Sequence, residues 1–156
     1  LGDGMMAIFG APNRQDDHAE RACRAAVEML DRLEQLNRDR VARGLQELRI
    51  GIGIHTGEAV VGNVGSPPFR VDFTAIGDTV NLAARIEAMT KELGAAIVAS
   101  DSTRDAVVAT DADGLRFEQL GVVVARGRSA TTTVHAVTAD PGTGRSGSEH
   151  VEPRAA

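Results

Sequence analysis

Apolar residues in this chain repeat with two different periods, and this alternation constrains the fold more than any other feature. In residues 17–43 they recur every three or four positions, which is typical of a helix with one buried face. In residues 48–54 they alternate strictly with polar residues or glycine, which is typical of a half-buried strand. A chain that switches between these two periods is expected to combine helices and strands around one core.

The same patterns predict an ordered series of elements. The 17–43 helix begins at a capping box formed by Asp17 and Glu20 and ends at Gly44, and a second helix begins at Asp78 as N-cap and ends before Gly94. The other predicted elements are strands at 5–9, 71–76, 96–100, 115–126 and 131–138, a hairpin pairing 48–54 with 59–64, and a short helix at 101–109. These elements predict an α+β fold in which a mostly antiparallel sheet has helices packed on one face.

Composition limits the class of protein. The 156 residues suit one domain, which we expect to fold over residues 1–138 and to end in a disordered, polar tail over 139–156. With four Phe and no Trp or Tyr, the core must be aliphatic. A net charge of −5 gives no general attraction to nucleic acid or anionic lipid, and no apolar run reaches the roughly 18 residues of a membrane span. The single Cys23 favours burial in a core and a reducing, cytoplasmic location.

A few polar residues are candidates for chemistry. Asn81 and Arg85 lie four residues apart, on one face of the predicted second helix, where an amide and a guanidinium suit an oxygen that gains negative charge. A helix-terminal hydrogen bond and a solvated arginine are the alternative for this pair. Asp3, between two glycines, could reach a divalent metal or simply favour a turn, and Arg126 could meet a phosphate or be solvated at a hairpin tip. The four histidines have no metal-ligand spacing.

Five motifs in the same order resemble those of class III adenylate and guanylate cyclase catalytic domains of the bacterial type. They occupy residues 1–12, 17–19, 52–58, 61–65 and 76–85. The resemblance implies a ferredoxin-like domain that works as a head-to-tail homodimer, with two active sites at the subunit interface. It also implies ATP or GTP as substrate and two Mg²⁺ or Mn²⁺ ions in each complete site.

The resemblance assigns roles to five positions. Asp3 matches the second metal-binding Asp of the family, and Asn81 and Arg85 match the Asn and Arg that orient the ribose and stabilise the pentavalent phosphorus. Arg126 lies where the family usually has a Lys that contacts the nucleotide phosphates. Thr74 lies at a base-recognition position where adenylate cyclases tend to have Asp or Thr, which favours ATP over GTP.

The resemblance also predicts an incomplete domain. The first metal-binding Asp and the adenine-recognising Lys of the family would both precede Leu1, so we expect the domain to be truncated at its N-terminus, with an open sheet edge. The expected function is adenylate cyclase activity in a longer parent protein, with this fragment alone inactive and any membrane anchor lying upstream. The alternatives are a catalytically inactive, cyclase-like dimerisation module and a guanylate cyclase.

Overall fold

Helices and strands alternate along the chain, as the two apolar periods predict. The computed structural model describes residues 4–66, 70–124 and 131–140. The elements in chain order are α1 (His18–Ala42), β1 (Ile52–Ile54), β2 (Val60–Ser66), β3 (Arg70–Ile76), α2 (Asp78–Leu93), β4 (Ile97–Ser100), α3 (Asp101–Val108), β5 (Leu115–Val124) and β6 (Thr131–Ala139). The predicted α+β class is confirmed.

A four-stranded sheet lies at the centre of the fold, in the order β1-β4-β6-β5. β1 and β4 are parallel, whereas β6 is antiparallel to both β4 and β5. β2 and β3 form a separate antiparallel ribbon, in which Val60 lies opposite Ile76 and Gly62 opposite Thr74. This ribbon leads directly into α2, so its register influences where that helix begins.

Both faces of the sheet are covered by helices. Ile97 and Ala99 of β4 belong to one cluster of buried residues with α1 and α3, whereas Val98 belongs to a second cluster with Ile86 of α2. Because successive side chains of a strand point to opposite faces, α2 must lie across the sheet from α1 and α3. The expectation that all helices pack on one face is therefore wrong. A continuous run of apolar residues in β4 is typical of a strand covered on both sides.

Helix α1 has nearly the predicted bounds but not the predicted cap. Asp17 is the N-cap residue, yet its side chain makes no capping hydrogen bond; it accepts a hydrogen bond from Arg21 instead, at 2.8 Å. Glu20 is likewise paired with Arg24. The capping box is wrong because an arginine four residues later competes for each carboxylate. Cys23 is fully buried, as predicted, and this burial raises the pKa of its thiol to about 12.

The predicted hairpin between residues 48–54 and 59–64 is also wrong. β1 comprises only three residues and pairs with β4, while β2 pairs with β3. Leu48 is instead held to α1 by Asn37, which donates to the Leu48 carbonyl and accepts from its amide, both at 2.8 Å. These bonds keep the first half of the predicted strand out of the sheet and leave Leu48 44% exposed.

The remaining predictions differ at the chain ends and at the second helix. Residues 5–9 are not in a strand, and Met5 is 77% exposed, because this segment has no pairing partner within the described residues. α2 begins at Asp78 itself, with Gly77 as N-cap. The hairpin tip predicted at Arg126 and residues 141–156 of the predicted tail lie outside the described residues, and the division at residue 138 stays a prediction.

Candidate active site

The turn between β3 and α2 places both predicted catalytic residues. Gly77 has φ 136° and ψ 179°, a backbone conformation that residues with a side chain rarely adopt. It lets the chain turn from the ribbon into the helix within a single residue. Asn81 then lies in the first turn of α2 and Arg85 one turn later, so both predicted side chains project from neighbouring positions on one helix.

α2 rests directly on the backbone of β1. A Cβ atom added to Gly53 would lie 2.3 Å from the amide nitrogen of Glu87 and 2.4 Å from the carbonyl oxygen of Ala83. Such distances are far inside van der Waals contact, so only glycine fits at this position. The period-two pattern of the sequence contains Gly53, but its role as the contact point of the helix becomes visible only in the structure. The helix that carries Asn81 and Arg85 therefore has a fixed depth above the sheet.

One donor of Arg85 has no partner within the described residues. Its side chain is half-buried, and its Nη1 atom is fully buried with no hydrogen-bond partner in residues 4–66, 70–124 and 131–140. A buried donor without an acceptor costs free energy, on the order of 1–3 kcal/mol and more when it is charged. A guanidinium in this state is suited to an anionic oxygen supplied from outside the chain, because its donors match carboxylate and phosphate geometry.

Asn81 is more accessible. Its backbone amide donates to the Gly77 carbonyl at 3.3 Å, and its side chain is exposed. Helical spacing places the Asn81 and Arg85 side chains about 5–6 Å apart at their Cβ atoms. The two groups can therefore approach one ligand, with the amide on the solvent side and the guanidinium deeper.

Thr74 lies on the strand that leads into this helix. It is half-buried in β3, opposite Gly62 of β2 and three residues before Gly77. An open cavity of about 450 Å³ lies nearby, between the start of β2 and the end of β3, and Gly77 is part of its lining. Thr74, Asn81 and Arg85 lie on one continuous strand-turn-helix segment.

The other two predicted site residues, Asp3 and Arg126, lie outside the described residues. The described part of the chain contains no group of three or more His, Cys, Asp or Glu side chains that could hold a metal ion.

Sequence comparison identifies the family. The sequence model of the adenylate and guanylate cyclase catalytic domain matches residues 1–138. This chain is a member of that family. The match includes all five motif regions and the positions of Asp3, Thr74, Asn81, Arg85 and Arg126.

Two curated relatives of this cyclase-family chain are bacterial adenylate cyclases. Adenylate cyclase 1 of Rhizobium meliloti strain 1021 is 45% identical over 136 residues, covering 87% of this chain and 20% of the relative. An adenylate cyclase of Anabaena cylindrica is 34% identical over 143 residues, covering 89% of this chain and 27% of the relative. The chain therefore spans less than a third of either protein.

Solved cyclase structures have the same fold. The guanylyl cyclase Cya2 superposes with a TM-score of 0.76 at 35% identity, covering 92% of this chain and 70% of that one. The adenylyl cyclase CyaB of P. aeruginosa superposes with a TM-score of 0.72 at 28% identity, covering 85% and 65%. Within the described residues of the cyclase-family chain, no helix combines the length and hydropathy that a membrane span requires.

Proposed function

We propose that the protein containing this chain is an adenylate cyclase that converts ATP to 3′,5′-cyclic AMP and pyrophosphate. The observation that carries the proposal is the buried, unpartnered Nη1 donor of Arg85, one helical turn from Asn81, in a chain of the cyclase family. A site that stabilises charge developing on a phosphoryl group needs such a donor oriented before the substrate arrives.

In the proposed reaction the ribose 3′ oxygen attacks the α-phosphorus. A bond forms between these two atoms, the bond from the α-phosphorus to the bridging oxygen of the β-phosphate breaks, and pyrophosphate leaves while the 3′ hydroxyl releases its proton. Negative charge grows on the oxygens of the five-coordinate phosphorus. Arg85 donates to these oxygens, and Asn81 donates to the ribose and holds it for attack.

Thr74 and the adenylate cyclase relatives support ATP as the substrate. A threonine hydroxyl can both donate and accept a hydrogen bond, so it can meet the amino group and ring nitrogen of adenine. One observation favours the guanylate cyclase alternative: the chain is 35% identical to the guanylyl cyclase Cya2. Direct comparison of the two nucleotides decides between them.

We further propose a homodimer with active sites at the subunit interface, dependent on Mg²⁺ or Mn²⁺. The β2–β3 ribbon supports the dimer because it exposes large apolar side chains, namely Val60, Val64, Phe73 and Ile76. Asp3 is the proposed metal ligand, and Arg126 the proposed contact of the nucleotide phosphates. Cyclic nucleotide formation by the variants Asp3→Asn and Arg126→Ala tests these two roles.

The decisive experiment measures cyclic nucleotide formation from ATP and from GTP with Mn²⁺. It uses the complete protein that contains this chain, with Arg85→Ala, Arg32→Ala and the isolated 156-residue chain alongside. We expect cyclic AMP from the wild type and from Arg32→Ala, and little from Arg85→Ala or the isolated chain. Arg32 is a matched control because its guanidinium is paired with Glu28 on the surface of α1.

The competing proposal is a cyclase-like module that dimerises without catalysis. Absence of product from both nucleotides, in protein shown to be folded and dimeric, would replace the enzyme with this module. Cyclic GMP as the main product would instead reassign the substrate and leave the roles of Asn81 and Arg85 in place.

A further inference from the structure

The loop between β1 and β2 is fixed to the core at its first residues. His55 Nδ1 lies 2.8 Å from the Ser100 hydroxyl, and the Thr56 hydroxyl lies 3.0 Å from that of Thr103. Ser102 donates to the Thr56 carbonyl at 2.8 Å. Ser100 and Thr103 are completely buried, so the loop begins from an anchored point.

The contact between His55 and Ser100 is a hydrogen bond between neutral groups. Burial lowers the pKa of His55, so its ring is neutral at neutral pH and shares one proton with a hydroxyl partner. Ser100 is also the N-cap of α3, where its side chain accepts from the Thr103 amide. Neighbouring hydroxyls thus link the ends of β1 and β4 to the start of α3.

The same loop reaches α2 two residues further on. The Thr79 hydroxyl donates to the Glu58 carbonyl. Between the two contacts lies Gly57, where an added Cβ would be 2.9 Å from Thr79 Oγ1 and 3.5 Å from His55 Nε2. The loop therefore packs without a gap between the anchored histidine and the second residue of α2.

This contact fixes a helix end that has no side-chain cap. The N-cap of α2 is Gly77, which has no side chain with which to cap the helix, and the Asn81 amide bonds the Gly77 carbonyl at a long 3.3 Å. A first turn held only by such bonds would fray. Thr79 lies within this turn, two residues before Asn81.

We propose that the Thr79 hydroxyl is a positioning group for the cyclase reaction: by donating to the Glu58 carbonyl, it fixes the first turn of α2 and with it the orientation of Asn81 and Arg85. The inference rests on the proposed function. It adds a residue that acts through the position of α2, since its hydroxyl donates to the Glu58 carbonyl. Misplacement of reacting groups by about 1 Å can cost as much as 10²-fold in rate.

The test compares Thr79→Val, which keeps the shape but removes the hydroxyl, with Thr79→Ser, which keeps the hydroxyl. Thr110→Val is the matched control, because Thr110 also donates to a backbone carbonyl, that of Val107, on a different helix. We measure kcat and KM for ATP in the complete protein, together with hydrogen exchange of the amides in residues 77–85.

We expect Thr79→Val to lower kcat roughly tenfold with KM within about twofold, because only the transition-state contacts are misplaced. Exchange in residues 77–85 should become faster in this variant. Thr79→Ser should restore both kcat and slow exchange, and Thr110→Val should leave both unchanged.

Either of two results would overturn the positioning role while leaving the proposed function standing. One is an unchanged kcat in Thr79→Val; the other is an equal loss of kcat in Thr79→Ser. A wild-type protein that forms no cyclic nucleotide would overturn the proposed function and the positioning role of Thr79 with it. In that case the exchange rates still show whether the hydroxyl orders the first turn of α2.

Discussion

The arginines of α1 and α2 have different surroundings. On α1, Arg21, Arg24, Arg32 and Arg38 each bond a carboxylate four residues earlier in the chain. On α2, the residue four positions before Arg85 is the neutral Asn81, and Nη1 of Arg85 is buried without a partner in the described part of the chain. Both helices bury one face against the sheet, but among the described residues the buried side-chain donor without a partner lies on α2 and not on α1.

The difference separates two uses of the same side chain. The pairs on α1 are largely exposed, so each contributes little to stability. The unused donor on α2 lowers stability unless a ligand fills it. A helix with a buried cationic donor that lacks an acceptor is the better candidate for binding an anion.

The largest expected effect comes from removing the unused donor. Arg85→Ala should lower kcat by roughly 10²–10³-fold, equivalent to about 2.7–4 kcal/mol, by analogy with loss of one oxyanion-stabilising donor. The measurement is steady-state cyclic AMP production from ATP. Arg32→Ala should stay within about twofold of wild type, and equal losses in the two variants would remove the distinction between the helices.

A second prediction concerns the distance between α2 and the sheet. Gly53→Ala forces a methyl group against the backbone of Glu87 and Ala83, which should destabilise the fold by roughly 1–3 kcal/mol as the helix is pushed outward. Urea denaturation measures this free energy. Gly121→Ala is the control, because a Cβ there meets no atom within 4 Å. Equal stability of the two variants would show that the depth of α2 is adjustable.

A smaller effect concerns pH and the loop that reaches α2. The pKa of His55 is lowered in the folded state from 6.5, so the unfolded chain binds this proton more readily. Stability should therefore fall as pH drops below about 6.5. His55→Asn should reduce that slope in urea denaturation followed between pH 5 and 7, and an unchanged slope would assign the pH dependence to other groups.

The smallest effect is expected on α1. The Arg32–Glu28 pair is 2.6 Å long but 76% and 63% exposed at its two side chains, so its coupling should be about 0.3–0.5 kcal/mol and should decrease with salt. A double-mutant cycle of Glu28→Ala and Arg32→Ala measures it by denaturation. A coupling several times larger would mean that α1 is organised by its charges rather than by its buried face.

Local pattern predicted the helices and the existence of most strands. The bounds of α1 differ from the prediction by one residue at each end, because a continuous apolar stripe and Gly44 define it locally. Strand partners were harder to predict. A period-two pattern shows which side of a strand is buried but not which strand pairs with it. The sequence pattern therefore predicts β2 as the partner of β1, whereas the partner in the structure is β4.

The site was predictable to a similar degree. Asn81 and Arg85 share a helix, as their spacing predicts, and the resemblance placed them in the cyclase reaction. No sequence pattern could show that Nη1 of Arg85 is buried without an acceptor, since that depends on how α2 packs on the sheet. The contact from Thr79 to Glu58 likewise joins residues 21 positions apart through a tertiary arrangement.

The reactivity of the Cys23 thiol reports unfolding of the chain. It is the single cysteine of the sequence, and it lies in α1 at 0% exposure with a pKa of about 12. In the native fold its thiol is therefore both shielded and protonated, and so inert toward thiol-specific dyes. Opening of the α1 face exposes this thiol, so the fraction of molecules that react with a dye over time reports opening without an engineered label. The mass added by one dye molecule distinguishes opened from unopened chains of the purified protein.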